Sequence, residues 1–265
     1  MSAQVTGTLE ALRERAPLVH CITNLVAMET SANLLLAAGA SPVMAHAQEE
    51  IAEVVGAADA LCINIGTLDP GWVDSMTAAA EAAGETGTPW VLDPVGCGAT
   101  AYRTETAGAL TARQPAAIRG NASEILALAG ATDGGRGRGV DAGADSVEAL
   151  DAAGALAESS GAVVAVTGSV DYVTDGRRIV AVANGVPLMA RVTALGCALS
   201  ALVAACIAVG EDRLSATAHA LAIMGVTGEV AAQAAEGPGS LRWRLLDALD
   251  RLDADTLTQM ASIEG

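Results

Sequence analysis

Five short apolar runs, each closing on polar residues, glycine or proline, constrain this chain more than anything else in it. They are Leu18 to Asn24, Ala60 to Gly66, Thr88 to Pro94, Ala116 to Asn121 and Val163 to Gly168. Uninterrupted apolar runs of this length suit strands covered on both faces. Between them lie stretches of helical character: Ala27 to Ala38, a helix opening at Asp69-Pro70 and running to about Ala83, and Ala122 to Gly130. Strands alternating with helices imply a mainly parallel sheet with helices on both faces. In such sheets ligands bind beyond the carboxyl ends of the strands, where Asn24, Asn64, Asp93, Asn121 and Thr167 fall.

The rest of the chain fits around that frame. Val5 to Glu14 predicts an opening helix that Pro17 ends, Ser41 to Ala45 a short extended piece, and Gln48 to Val55 a further helix. Asp171 to Thr174 and Arg178 to Val182 flank Asp175-Gly176, a hairpin signal, so the sheet is expected to finish in an antiparallel edge. Gly134 to Gly143 reads as a surface loop, and from Ala198 the chain reads as helical with breaks near Gly210, Gly225 and Gly237 to Gly239. No linker divides it, so residues 1–265 are expected to form a single domain.

Hydrophobic residues make up 52% of the chain, aromatic residues 2%, and Phe is absent, so the interior has to be filled by Ala, Val, Leu, Ile and Met. A formal charge of −17 without a basic stripe argues against a nucleic-acid partner. No apolar run reaches the ~18 residues of a membrane span. Glu10 to Arg15 interrupts anything resembling a signal peptide, and the five cysteines form no C-x-x-C pair, so a cytoplasmic protein with reduced thiols is expected.

Walker P-loop, serine-elbow and H-E-x-x-H motifs are all missing, which removes the common GTPase and hydrolase readings. Other equipment is present. Arg191 to Ala208 reads as a polar turn feeding a small-residue helix that starts near Gly196 or Cys197, and the unpaired amides of such a start attract anionic oxygens. Asp93 and Glu124 offer hard carboxylate oxygens of the kind that hold Mg²⁺. A helix start, carboxylates and a divalent cation are what phosphoryl transfer needs. His20, His46 and His219 read as structural histidines, and on composition alone Met44 reads as core.

The segments His20-Cys21-Ile22-Thr23-Asn24, Gly39 to His46, Leu92-Asp93-Pro94-Val95-Gly96, Arg119-Gly120-Asn121-Ala122-Ser123-Glu124 and Gly196-Cys197 resemble, in order, those of the hydroxyethylthiazole kinase family. The resemblance implies a ribokinase-like three-layer α/β/α fold and a thiamine-salvage activity. In that activity the γ-phosphate of ATP passes, with Mg²⁺, to the primary hydroxyl of 4-methyl-5-(2-hydroxyethyl)thiazole. It further implies substrate contacts at Met44, Ala194 and Asn24, ATP contacts at Arg119, Thr167 and Asn121, metal contacts at Glu124 and Asp93, and Cys197 beside the acceptor hydroxyl as a positioning group or weak base. A homotrimer with active sites at subunit interfaces is also implied.

The family turn reads Gly-Thr-Gly-Cys where this chain has Ala194-Leu195-Gly196-Cys197, and Glu29 stands where a neutral polar residue is expected. The first departure adds a Cβ at a position suited to φ > 0. Two alternatives therefore accompany the resemblance: a noncatalytic thiazole or nucleotide binder, and a kinase for another small alcohol such as a hydroxymethylpyrimidine.

Overall fold

The computed structural model describes residues 2–132 and 145–265, and the expected loop over Gly134 to Gly143 lies outside them. In chain order the elements are α1 (Ser2–Arg15), β1 (Leu18–Ile22), α2 (Met28–Ala38), β2 (Ser41–Val43), α3 (Ile51–Ala57), β3 (Ala60–Asn64), α4 (Pro70–Thr86) and β4 (Trp90–Asp93). There follow α5 (Ala101–Thr111), β5 (Ala117–Asn121), α6 (Ala122–Thr132), α7 (Leu150–Ser160), β6 (Val163–Thr167), β7 (Asp171–Thr174) and β8 (Ile179–Val182). The chain ends in α8 (Leu195–Val209), α9 (Arg213–Ala232), α10 (Pro238–Arg251), α11 (Ala254–Met260) and β9 (Ile263–Glu264).

One sheet runs in the order β2-β1-β3-β4-β5-β6-β7-β8-β9. Its pairs from β2 to β6 are parallel, and those from β6 to β9 are antiparallel. All five apolar runs are strands of the parallel part, so their polar ends lie along one edge.

The two faces of the sheet differ in side-chain size. Cys21, Ala60, Cys62, Val91, Ala117 and Ala165 face the layer containing α1, α2, α8 and α9. Ile22, Leu61, Ile63, Leu92, Ile118 and Val164 face the layer of α3 to α7. The period-2 alternation of a strand separates them, and the small face lets α8 lie directly over β3 and β4. Because α8 is itself mostly Ala, Leu and Val and buried nearly all round, it forms the centre of that layer.

Several boundaries differ from those expected. Residues 47–50 form a separate turn closed by the Glu50 N–H to the Ala47 carbonyl, so α3 begins at Ile51. The α4 helix starts where Asp69 accepts from Trp72 N–H at 3.1 Å, and it continues to Gly87, which takes φ 76°. Gly225 does not break α9; a Cβ there would stand 2.5 Å from Asn184 Cβ, so the missing side chain is a packing requirement inside a continuous helix. By length and hydropathy α9 is apolar enough to cross a membrane, yet it is buried against α8, α10 and the sheet.

Candidate active site

Two loops at the carboxyl edge are fixed by asparagine side chains. Beyond β1, Asn24 Oδ1 accepts the N–H groups of Val26 and Ala27 at 3.0 Å each. At the end of β3, Asn64 Oδ1 accepts the Gly66 N–H at 3.0 Å and Asn24 Nδ2 at 2.8 Å. Asn64 is the register partner of Asp93 across β3 and β4, which brings Asn64 Nδ2 to 2.6 Å from Asp93 Oδ2. Ser200, on α8, donates to the same Oδ2 at 2.8 Å.

Asp93 is completely buried, and its Oδ1 has no partner. Burial first, opposed by Arg119 and augmented by the charge of Glu124, pushes its carboxyl up to about 7, although the Ser200 and Asn64 bonds pull the other way. A buried, half-satisfied carboxylate is costly unless something cationic meets it.

The next two strands supply the other polar groups. Asn121 and Thr167 are register partners at the ends of β5 and β6. Asn121 Oδ1 accepts the Glu124 N–H while Glu124 Oε2 accepts the Asn121 N–H, both at 2.9 Å, a reciprocal cap that starts α6. The other oxygen, Glu124 Oε1, accepts the Gly96 N–H at 2.8 Å and so ties the loop after β4 to α6. Arg103, on α5, joins that loop to the one after β3: Nη1 donates to the carbonyls of Ile65 and Val95 at 2.8 and 2.7 Å, and Nη2 donates to that of Gly66 at 2.7 Å.

The turn into α8 faces these groups. Ala194 caps the helix in the left-handed region at φ 67°, ψ 0°, and the helix starts at Leu195, slightly earlier than the sequence suggested. A Cβ on Gly196 would lie 2.8 Å from Arg119 Nη1, so this glycine is what lets the guanidinium lie against the helix start. Arg119 Nη2 donates to Thr167 Oγ1 at 2.6 Å, while its Nε is buried and unpartnered.

Cys197 is the half-exposed thiol; Cys21, Cys62, Cys97 and Cys206 are buried. Its Sγ accepts Asn24 Nδ2 at 3.2 Å. Burial and the charge of Asp93 push the thiol above its ordinary value, against the pull of the Asn64 and Asn24 amides and of Arg119.

A cleft of about 550 Å³ opens beside the turn, with Arg119, Thr167, Asp171, Leu195, Gly196 and Met224 among its walls. Asp171 Oδ1 accepts the Gly168 N–H at 2.9 Å, and burial pushes this carboxyl up to about 6. Nucleotide-sized clefts with few convergent polar groups are typical ligand sites.

Asn24, Asp93, Arg119, Thr167 and Cys197 therefore gather in one place, with Asn121 and Glu124 beside them. Met44 follows β2, the edge neighbour of β1, half-buried against the α8 layer. The histidines have structural surroundings: His20 is paired with the Ala45 carbonyl at 2.8 Å, His46 stacks on Trp72 at 4.9 Å, and His219 meets Thr8 Oγ1 at 2.8 Å. Glu29 pairs with Arg242 at 2.9 Å on the surface.

Sequence reasoning missed Ser200, Arg103 and Asp171. Ser200 alone left a signal, as a lone hydroxyl one turn after Cys197 in an apolar helix. Among the described residues no group of three or more His, Cys, Asp or Glu side chains forms a ready metal cage. The unpartnered Asp93 Oδ1 and the nearby Glu124 carboxylate instead suit a hard cation that keeps most of its ligands from water and phosphate.

The model of the hydroxyethylthiazole kinase family matches residues 9–255. Hydroxyethylthiazole kinase of Rhizobium etli is 56% identical over 256 residues, covering 96% of this chain and 98% of that protein. Its counterpart from Cereibacter sphaeroides is 56% identical over 258 residues, 97% of each. The solved hydroxyethylthiazole kinase of Pyrococcus horikoshii OT3 superposes with a TM-score of 0.91 at 46% identity, covering 98% of both chains. Pyridoxal kinase of Staphylococcus aureus shares the fold, with a TM-score of 0.66 at 16% identity over 94% of this chain and 97% of that one.

Proposed function

The chain belongs to the hydroxyethylthiazole kinase family, with a ribokinase-like fold, and from that premise we propose how it works. It is a kinase of thiamine salvage that transfers the γ-phosphoryl group of ATP to the primary hydroxyl of 4-methyl-5-(2-hydroxyethyl)thiazole, using residues 1–265 as one domain. The observation that carries this reading is the meeting of the α8 start with the strand ends: Asn24 bonds Cys197, Arg119 packs against Gly196, and Ser200, one turn further on, bonds Asp93.

In this reading ATP occupies the 550 Å³ cleft, with its phosphates toward Arg119, Thr167 and Asn121. The first amides of α8, which no intrahelical carbonyl can accept from, face the terminal phosphoryl oxygens and stabilise charge that spreads there during transfer. Mg²⁺ held by Asp93 and Glu124 would neutralise phosphate charge. Asp93 Oδ1, buried and without a hydrogen-bond donor, is the stronger argument for a cation. The thiazole lies among Asn24, Met44 and Ala194, with its hydroxyl beside Cys197 Sγ. A loose phosphoryl-transfer state asks little of a base, so Cys197 acts mainly by orienting the alcohol, and only its thiolate, the minority form of a thiol raised above its ordinary pKa, would accept the alcohol's proton.

Oligomeric state and location complete the proposal: a homotrimer in the cytoplasm, with each thiazole pocket shared between subunits. Support comes from the loop that follows Asn24, where Leu25 and Val26 are 66% and 59% exposed, apolar surface that a neighbouring subunit would cover.

Incubating the purified protein with Mg²⁺, ATP and the thiazole alcohol and measuring ADP release tests the function. Turnover with the thiazole and little with a hydroxymethylpyrimidine is the expected result. Thiazole or nucleotide binding without ADP release would establish a noncatalytic binder instead.

A further inference from the structure

We infer that Asn24 is the positioning residue for Cys197: its side-chain amide holds the sulfur from one side and leaves the opposite side to the acceptor hydroxyl. This deepens the kinase reading and rests on it.

The inference follows from a chain of hydrogen bonds with only one possible polarity. The N–H groups of Val26 and Ala27 both point at Asn24 Oδ1, so that atom is the carbonyl oxygen and the amide group cannot be flipped. Its two Nδ2 hydrogens then go to Asn64 Oδ1 at 2.8 Å and to Cys197 Sγ at 3.2 Å, which uses both. The Gly66 N–H fixes Asn64 in the same way, so Asn64 Nδ2 donates to Asp93 Oδ2, where Ser200 Oγ also donates. Three backbone amides thus set the direction of a network running from Asp93 to the sulfur.

Its consequence for the sulfur is that Sγ faces a donor and acts as an acceptor. The charged or titratable groups around it are Cys62 on β3, Asp93 on β4 and Arg119 on β5, with Glu124 acting on Asp93. Of these only Arg119 favours a thiolate; Asp93 opposes it. The asparagine amides are therefore the neutral groups that let the thiol approach its reactive form so near a carboxylate.

Asn24→Asp provides the test, because a carboxylate keeps the acceptor for Val26 and Ala27 and replaces by an acceptor the donor that serves both the sulfur and Asn64. Alkylation of the full-length protein by iodoacetamide, followed across pH and mapped by mass spectrometry, reads Cys197 selectively because the other four thiols are buried. At about pH 8 the expected alkylation rate of Cys197 falls at least about tenfold, because the thiolate loses a donor and gains a like charge in its place. The expected kcat falls by a similar factor with the KM for ATP within about twofold. In a Cys197→Ser background the Asn24→Asp change is expected to cost nothing further, as when one residue acts through another.

An unchanged alkylation profile, or losses that multiply in the double variant, would overturn the inference. Should Asn24→Asp fail to fold, Asn24→Ser serves equally, since its hydroxyl accepts from the turn amides but is too short to reach the sulfur. Alkylation needs no turnover, so a wild-type protein that released no ADP would refute the kinase reading while leaving this contact to be judged by itself.

Discussion

Arg119 reaches along its strand to place Nη2 2.6 Å from Thr167 Oγ1, while its other terminal nitrogen packs where a Gly196 side chain would be. One guanidinium is thereby wedged between two strand ends and a helix start. Replacing it with Lys would keep the charge but lose the fork that serves Thr167 and a phosphate together. Arg119→Lys is expected to raise the KM for ATP about tenfold with less change in that for the thiazole, and Arg119→Ala to do more. Initial-rate kinetics with each substrate varied in turn would measure this, and an unchanged ATP dependence would place the nucleotide elsewhere.

Ala194 holds φ 67° at the cap of α8, a conformation that costs an L-residue roughly 1 kcal/mol relative to glycine. Ala194→Gly is expected to raise the Tm by about 2–4 °C if that cost is relieved. It also removes a methyl group beside the proposed acceptor site, so turnover should rise or hold. Thermal melts and ADP release together check the prediction; a lower Tm would mean that the methyl group contributes packing exceeding the strain.

The carboxyl of Asp93 is raised from 3.8 to about 7 in the folded chain. Between those values the unfolded state releases this proton before the native state does, so Asp93 lowers stability as pH rises from about 4 to about 7, with no further change above. Asp93→Asn is therefore expected to melt higher than the parent protein at pH 8 in the absence of divalent cations, with a smaller difference at pH 5, and to lose nearly all kinase activity. Paired melts at the two pH values test the sign. A difference that grew toward low pH would show the carboxylate to be favourably held.

Arg103 donates to three carbonyls in the loops after β3 and β4. The Val95 carbonyl and the Gly96 N–H belong to one peptide unit, so Arg103 grips one end while Glu124 accepts at the other. Arg103→Met would leave those carbonyls short of a donor. An expected loss on the order of 2–4 kcal/mol in denaturant unfolding, with a weaker dependence on Mg²⁺, follows from removing charge-assisted bonds in a half-buried place. Stability retained in full would show that water replaces the guanidinium.

The amino-acid sequence by itself determined the parallel sheet, because runs such as Ala60 to Asn64 are apolar throughout and end abruptly on polar groups. It determined the antiparallel edge as well, since Asp175-Gly176 dictates a hairpin locally. The helices α5 and α7 and the terminal strand β9 left no comparable mark: Ala101–Thr111 and Leu150–Ser160 mix small and polar residues, and Ile263–Glu264 is a strand only because β8 offers an edge. Gly225 looked like a break for the same reason, as only the close approach of Asn184 explains it.

At the site, sequence position placed Asn24, Asn64, Asp93, Asn121 and Thr167 on one edge, because every parallel strand ends on the same side. Which of them touch was decided by tertiary structure alone. Asn64 meets Asp93 through strand register, and Ser200 and Cys197 meet the edge only because the sheet's small-residue face lets α8 lie close over β3 and β4. Hydrogen bonds spanning 107 and 173 residues depend on that close approach, and no local pattern of residues encodes it.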